Sequence, residues 1–394
     1  MKKVAVSTLY AGLRFTEPVY IEGNSLLAPA GAPIKERDIE RLISWGIESV
    51  QTEGEAVDLA GEDGELECSG GEEGMPGGFS CDLKGPIPNV LALAGGLDRG
   101  YQELIEKLDA VFTAINAGGG MALEAVTAIT DELLQAVREQ RDKLLCHILG
   151  GGVSGRILAK NSVNAAVLSA LIAGELKLPE AAVRRLVTGA LLHDTGMLRL
   201  PQHILDKRGG LTESELQRIQ SHSLHSYTII VKELLYPEEV GLIGLQHHER
   251  WDGEGYPGRI AAAGISLGAR IVSVADAFEA MVSEKPYRTS LIGYQAMKNL
   301  LSDNSRGFDP AILKVFIQIM GLYPIGSIIL LDNGAIAQVM ETQSGAPLRP
   351  KIRIFIDELG NAYAPNKGAL IDLAQERGLF IARALDPKEV KQRG

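Results

Sequence analysis

His247-His248-Glu249-Arg250-Trp251-Asp252-Gly253-Glu254-Gly255-Tyr256-Pro257-Gly258 is the stretch on which the reading of this chain turns. Tyr236-Pro237-Glu238-Glu239 opens the helix leading into it, with proline at the first position and acids in the first turn, where the helix dipole favours them. That helix ends in two imidazoles, and a glycine-rich loop closing on Tyr-Pro follows. Most of the chain's histidines lie between 193 and 248 and alternate with carboxylates: His193-Asp194, His222, His225, His247-His248-Glu249, then Asp276. Neutral imidazole and carboxylate are the usual ligands of divalent transition metals, so the cluster suggests a two-metal hydrolytic centre.

Working outward, each of these groups sits on or beside a helix. Val183, Leu186, Val187, Ala190 and Leu191 share one helical face before His193-Asp194, and Thr195-Gly196 breaks that helix. Adjacent His and Asp side chains leaving a helix end can diverge to touch two metals, with the carboxylate bridging. Thr212 to Glu215 spell a capping box, so the helix carrying His222 and His225 starts there, with the two imidazoles three apart on one face. Asp276 lies inside the apolar helical run Ile271 to Met281, where an unpaired charge is costly; a metal, or Arg270 or Arg288, must be its partner. A lone His-Asp or His-His dipeptide means little, since neighbouring helical side chains point a quarter-turn or more apart. Their combination in one order is far more specific. His225 reads as a packing or exposed histidine, and His147 and His203 carry no assigned role.

The remainder reads as a frame. With 394 residues, 45% of them hydrophobic, the chain is long enough for two or three structural units. Residues 1–52 pattern as a small α/β module: Pro18 to Ile21, a turn at Glu22 to Asn24, Ser25 to Leu27, then a helix through Ile39, Leu42, Ile43 and Trp45. Residues 53–85, acidic and glycine-rich, read as a solvated linker. Residues 86–150 form a helical connector with apolar positions such as Leu104, Leu108, Val111 and Ile115, a candidate for homodimerisation. The histidine-bearing helices fill 151–320, and one more helix runs to Met320. Residues 321–394 turn extended, with Ile328 to Leu331, a tight turn at Asp332 to Gly334, and the alternating Lys351 to Asp357. The fold class is therefore mainly α, with a small α/β N-terminal module and a short antiparallel β appendage.

A net charge of −11 argues against a nucleic-acid polymer or an anionic membrane as partner, because either needs a basic face. The three cysteines, Cys68, Cys81 and Cys146, make neither a disulfide framework nor a zinc ribbon, and no run reaches the roughly 18 apolar residues of a membrane span. A cytoplasmic location is the expectation.

At this point the residues match a family. His193-Asp194-Thr195-Gly196, His222, His247 to Gly258, and Ala275-Asp276 with Lys285-Pro286-Tyr287-Arg288 resemble the HD-GYP domain, a branch of the HD metal-dependent phosphohydrolases. The resemblance implies an all-helical domain holding divalent ions, typically iron or manganese, and cleaving cyclic di-GMP to the linear dinucleotide pGpG or onward to GMP. It implies that Asp194 bridges two ions, that His193 and Asp276 hold the first, and that His222, His247 and His248 hold the second. Gly255, Tyr256 and Pro257 would wall the substrate pocket. Arg288 is a candidate phosphate contact, since guanidinium matches phosphate in a fork.

Two positions depart from the family pattern. Asn161 stands where the family has a histidine that binds the first metal, and Met197 stands where a lysine usually follows the His-Asp element. An amide oxygen suits hard cations better than it replaces imidazole, so the first site should be the weaker. The alternative to hydrolysis is a member that binds cyclic di-GMP or a partner protein as a sensor or adaptor; a further alternative acts on another nucleotide.

Overall fold

A computed structural model describes residues 2–10, 12–21, 25–28, 30–34, 39, 42, 47, 49–57, 98–118, 122–150, 155–207, 209–283, 293–302, 305–364 and 367–385. The acidic linker from 58 onward, most of the helix expected around Ile43 and Trp45, and Arg288 lie outside the described residues. Two units divide the chain: Pro88–Ser327 with Met340–Pro347, and Met1–Ile87 with Ile328–Val339 and Leu348–Gly394.

The first unit is helical. Helix α1 (Arg99–Asn116) starts at Asp98, whose side chain caps it by accepting from the Tyr101 amide, and buries Leu104, Leu108, Val111 and Ile115 at the expected spacing. Helix α2 (Ala122–Gly150) follows, then α3 (Ile157–Glu175), apolar nearly all round. By length and composition α3 is the one described helix that could cross a membrane, yet 78% of its apolar window is buried inside the unit. A helix apolar on all faces belongs in a core, and α3 packs against α1, α2 and the next helix, α4 (Glu180–Leu192).

Helix α4 ends at His193, and a 3₁₀ turn, Thr195–Arg199, carries the chain to the short α5 (Gln202–Leu205). The capping box forms as expected: Thr212 and Glu215 satisfy each other's backbone amides and start α6 (Glu213–Gln220). Next, α7 (His222–Thr228) runs directly into a single π turn, Ile229–Glu233. Helix α8 (Glu238–Gln246) differs by one residue from expectation: Pro237 is its N-cap, with extended backbone, and Glu238 is the first helical residue. Helix α9 (Leu267–Val282) carries Asp276, and α10 (Gly293–Leu301) and α11 (Pro310–Met320), capped by Asp309, complete the unit. Helices α4, α7 and α9 all pack on α8, which brings the histidine-bearing segments to one place.

The second unit is built from short strands. An antiparallel sheet of order β1-β5-β3-β4 joins Lys2–Ala5, Ser49–Thr52, Val19–Ile21 and Ser25–Ala28, and β2 (Arg14–Phe15) pairs with β6 (Ala56–Val57). From the other end of the chain come β7 (Ile328–Leu331), β8 (Ile336–Glu341), β9 (Lys351–Ile356), β10 (Leu370–Asp372) and β11 (Ile381–Leu385), in the order β10-β9-β8-β7-β11. Leu348 packs against the core formed by Leu9, Phe15, Val19, Leu42 and Val50.

Candidate metal centre

Three imidazoles are set in the same way. His193 Nδ1 donates to the Ala190 carbonyl at 2.7 Å, His222 Nδ1 to Ile219 at 2.7 Å, and His247 Nδ1 to Gly244 at 2.9 Å, each three residues back. A carbonyl only accepts, so each Nδ1 carries the proton and each Nε2 presents a lone pair. Those lone pairs converge on Asp194, the residue just past the end of α4. His222 Nε2 lies 3.3 Å from Asp194 Oδ1 and His247 Nε2 lies 3.6 Å from the same oxygen. His193 Nε2 lies 3.6 Å from Asp194 Oδ2 and 3.6 Å from Asp276 Oδ1.

This arrangement is poorly satisfied by protein atoms alone. His193 Nε2 is buried with no hydrogen-bond partner among the described residues. His222 Nε2 and His247 Nε2 face each other at 3.3 Å, two acceptors with no proton left to share. Ligand atoms of Asp194, His222, His247 and His248 all fall within 4.8 Å of one another, compatible with a divalent ion. The imidazoles of His193, His222 and His247 are closed to solvent, while Asp194 and Asp276 keep 21% and 20% side-chain exposure, so the centre opens on its carboxylate side.

The electrostatics reflect the crowding. Burial pulls His193 down, but Asp194 and Asp276 outweigh it and push it up to about 9, so an ion at Nε2 would take the place of a second proton there. Burial, reinforced by neighbouring imidazoles, depresses His222 and drives His248 well below its ordinary value. Burial opposes ionisation of Asp276, yet His193, 3.6 Å away, lowers it below its ordinary value; Asp194 falls likewise beside His193, His247 and His222.

Two glycines make the approach of these segments possible. A Cβ on Gly196 would lie 1.9 Å from the His222 carbonyl oxygen, and the Gly196 amide instead donates to Ser226 Oγ at 2.8 Å. The turn after Asp194 therefore lies directly on α7. A Cβ on Gly255 would meet the Arg250 amide at 2.3 Å, because the Gly-Tyr-Pro loop folds back on the end of α8. Tyr256 stacks on His248, ring centroids 4.8 Å apart, and burial raises its hydroxyl above the ordinary range. Pro257 is exposed beside it.

Arg270 is not the partner of Asp276: its guanidinium pairs with Asp309 at 2.7 Å. His225 is half-buried and outside the convergent set, and His203 is exposed. His147 is buried, stacked on Tyr101, with neither ring nitrogen hydrogen-bonded among the described residues.

Two carboxylates have roles that the sequence reading did not assign. Glu249, 2% exposed, accepts from the Gly258 amide at 2.5 Å and the Ile260 amide at 2.9 Å, clamping the loop that carries Tyr256. Glu279, fully buried one turn after Asp276, has its ionisation opposed by burial. Its Oε1 accepts from Asn164 Nδ2 at 3.2 Å and from Ser283, and Asn164 in turn accepts from the Tyr101 hydroxyl at 2.6 Å. Glu279 lies in the same apolar run that singled out Asp276, so the same signal would have found it.

Residues 147–312 match the HD domain family, and residues 328–393 match the KOW domain associated with HD domain. A cyclic di-GMP phosphodiesterase of Pseudomonas aeruginosa is 29% identical over 258 residues, 65% of this chain and 61% of that protein. A cyclic di-GMP phosphodiesterase response regulator of Xanthomonas campestris pv. campestris is 37% identical over 152 residues, 38% of this chain and 40% of that one. A 3'3'-cGAMP-specific phosphodiesterase of Vibrio cholerae is 34% identical over 166 residues, 42% of this chain and 36% of that one. The chain thus spans less than two thirds of each relative's length.

Proposed function

We propose that residues 147–312, which match the HD domain family, are of the HD-GYP type, and that this chain is a metal-dependent phosphodiesterase hydrolysing cyclic di-GMP to the linear dinucleotide or onward to GMP. The observation that carries the reading is the set of Nε2 lone pairs, fixed by Nδ1–H bonds to backbone carbonyls and aimed at Asp194. Two divalent ions, iron or manganese, would be held here, the first by His193, Asp194 and Asp276 and the second by Asp194, His222, His247 and His248. The ions, when bound, neutralise charge building on the phosphate and lower the pKa of water to near neutrality.

The chain's own groups supply position. The backbone carbonyls behind the imidazoles lock tautomer and ring orientation, so no reorganisation is needed when substrate arrives. Tyr256, stacked on His248 and held through the Glu249 clamp, forms the pocket wall with Gly255 and Pro257. A flat aromatic face there suits a guanine base. Arg288, outside the described residues, is assigned the contact to a non-bridging phosphate oxygen. The open carboxylate side would be the entry for a dianionic dinucleotide.

Product chromatography tests this. Protein loaded anaerobically with iron, or with manganese, should convert cyclic di-GMP to linear dinucleotide or GMP, and His247→Ala should abolish conversion. A panel with 3'3'-cGAMP and mononucleotides separates this substrate from other phosphate esters.

A second reading is favoured by two residues: Met197, half-buried, carries no charge where a phosphate-facing lysine would act, and Asn161 replaces an imidazole. On that reading the chain binds cyclic di-GMP or a partner protein without turnover, and Asn161→His with Met197→Lys should raise a near-zero rate. Metal-loaded wild type that retains cyclic di-GMP unchanged would select it.

A further inference from the structure

Tyr101 is 2% exposed in the first turn of α1, a helix that lies wholly upstream of the matched residues 147–312. The Asp98 cap accepts from its amide, which fixes its backbone. Burial and the nearby Glu279 raise its hydroxyl above the ordinary phenol range, so the proton stays on oxygen and donates to Asn164 Oδ1 at 2.6 Å. That contact orients Asn164, which is 1% exposed on α3: with Oδ1 accepting from one side, Nδ2 turns to the other and donates to Glu279 Oε1 at 3.2 Å. Glu279, closed to solvent on α9, also accepts at Oε1 from Ser283, whereas its Oε2 has no hydrogen-bond partner among the described residues. The carboxylate is therefore held by one oxygen, and part of that hold begins on α1. A phenylalanine at 101 would bury the same ring and keep the stack on His147; what the hydroxyl adds is the orientation of Asn164.

Glu279 lies one turn beyond Asp276 on α9, and Asp276 Oδ1 is 3.6 Å from His193 Nε2. The other upstream helix is tied to the centre as well: the buried hydroxyls of Thr130 on α2 and Thr188 on α4 lie 3.2 Å apart, and α4 ends at His193. Resting on the metallohydrolase reading, we infer that Tyr101 is a positioning residue for the metal centre, acting through Asn164 and Glu279 on the place at which α9 holds Asp276. Displacing the first turn of α1 would leave Asn164 Oδ1 without a donor where water does not reach. The amide is then free to turn over and set its oxygen against the Glu279 carboxylate, two acceptors face to face, which loosens α9. The first turn of α1 is thus a place from which metal affinity is set at a distance.

The test is a titration of chelator-stripped full-length protein with Mn²⁺ alone, free ion followed by electron paramagnetic resonance, with hydrogen exchange over 267–282 measured beside it. Tyr101→Phe should weaken Mn²⁺ binding about fivefold and speed exchange in α9. Ile115→Val, a truncation elsewhere on the buried face of α1, should lower the urea midpoint yet leave affinity and α9 exchange unmoved, which separates positioning from a general loss of stability. Asn164→Ala should weaken binding at least as much as Tyr101→Phe, and adding Tyr101→Phe to it should weaken it no further, because the two act along one chain. Affinity unchanged in folded Tyr101→Phe, or weakened equally by Ile115→Val, would overturn the inference and leave the metallohydrolase reading standing. Absence of bound Mn²⁺ from folded wild type would overturn both.

Discussion

With Glu249 replaced by alanine, the amides of Gly258 and Ile260 lose an acceptor that is itself 2% exposed. Gly258 is exposed and Ile260 half-buried, so water replaces part of the loss and each bond is worth about 0.5–1.5 kcal/mol; the variant should unfold at lower urea, with Tyr256 newly open to chemical nitration. Unchanged midpoint and unchanged nitration would contradict the clamp. Gly196→Ala is a harsher change at the same scale, because its Cβ meets backbone rather than a flexible side chain. It should cost more than the roughly 1–3 kcal/mol of ordinary overpacking and deplete bound metal, read by unfolding and elemental analysis. Both residues bear on what could be read in advance. The imidazoles and Asp276 stood out because their chemistry is at odds with apolar surroundings. Glu249 did not, since a loop glutamate is ordinarily a solvated surface group and only tertiary contact reveals its burial; Glu279, in the same apolar run as Asp276, carried the same signal.

At the scale of elements, helix starts were legible where a side chain makes them. Thr212 and Glu215 do so for α6, which buries no residue and therefore leans on its cap. Thr212→Ala should cost about 1 kcal/mol locally, visible as faster hydrogen exchange over 213–220 with little change in the global melting temperature. Asp98 caps α1 and also receives Lys143 of α2, and that hydrogen bond holds its carboxyl below the usual 3.8. A depressed carboxyl stabilises the fold above its unfolded pKa and loses that contribution as pH falls through the lowered folded value. Wild type should thus lose stability relative to Asp98→Asn as pH drops below about 4, in urea midpoints measured across that range. The π turn after α7 and the 3₁₀ turn after Asp194 left no trace in apolar spacing. They arise from packing, where Gly196 admits one backbone against another, and periodicity carries no record of that.

For the whole molecule, metal binding couples to stability by mass action. Free ion at 100 times its dissociation constant should stabilise the helical unit by about 2.7 kcal/mol, so a chelator should speed hydrogen exchange in peptides from 155–283. No change there would contradict occupancy. The mainly helical class and the extended character of both ends were readable from apolar spacing. What escaped was which strands share a core. Short apolar runs at opposite ends of a chain say nothing about each other, and long-range pairing is a tertiary fact. Leu348 seated on the core of Leu9, Phe15 and Val50 is such a fact, and it bears on how the protein is made. Translation proceeds at about 5–20 residues per second, so the first strands leave the ribosome many seconds before Leu348 exists. In that interval their apolar side chains lack one of their covering groups, and a nascent chain stalled within the helical region would be the form that chaperones meet.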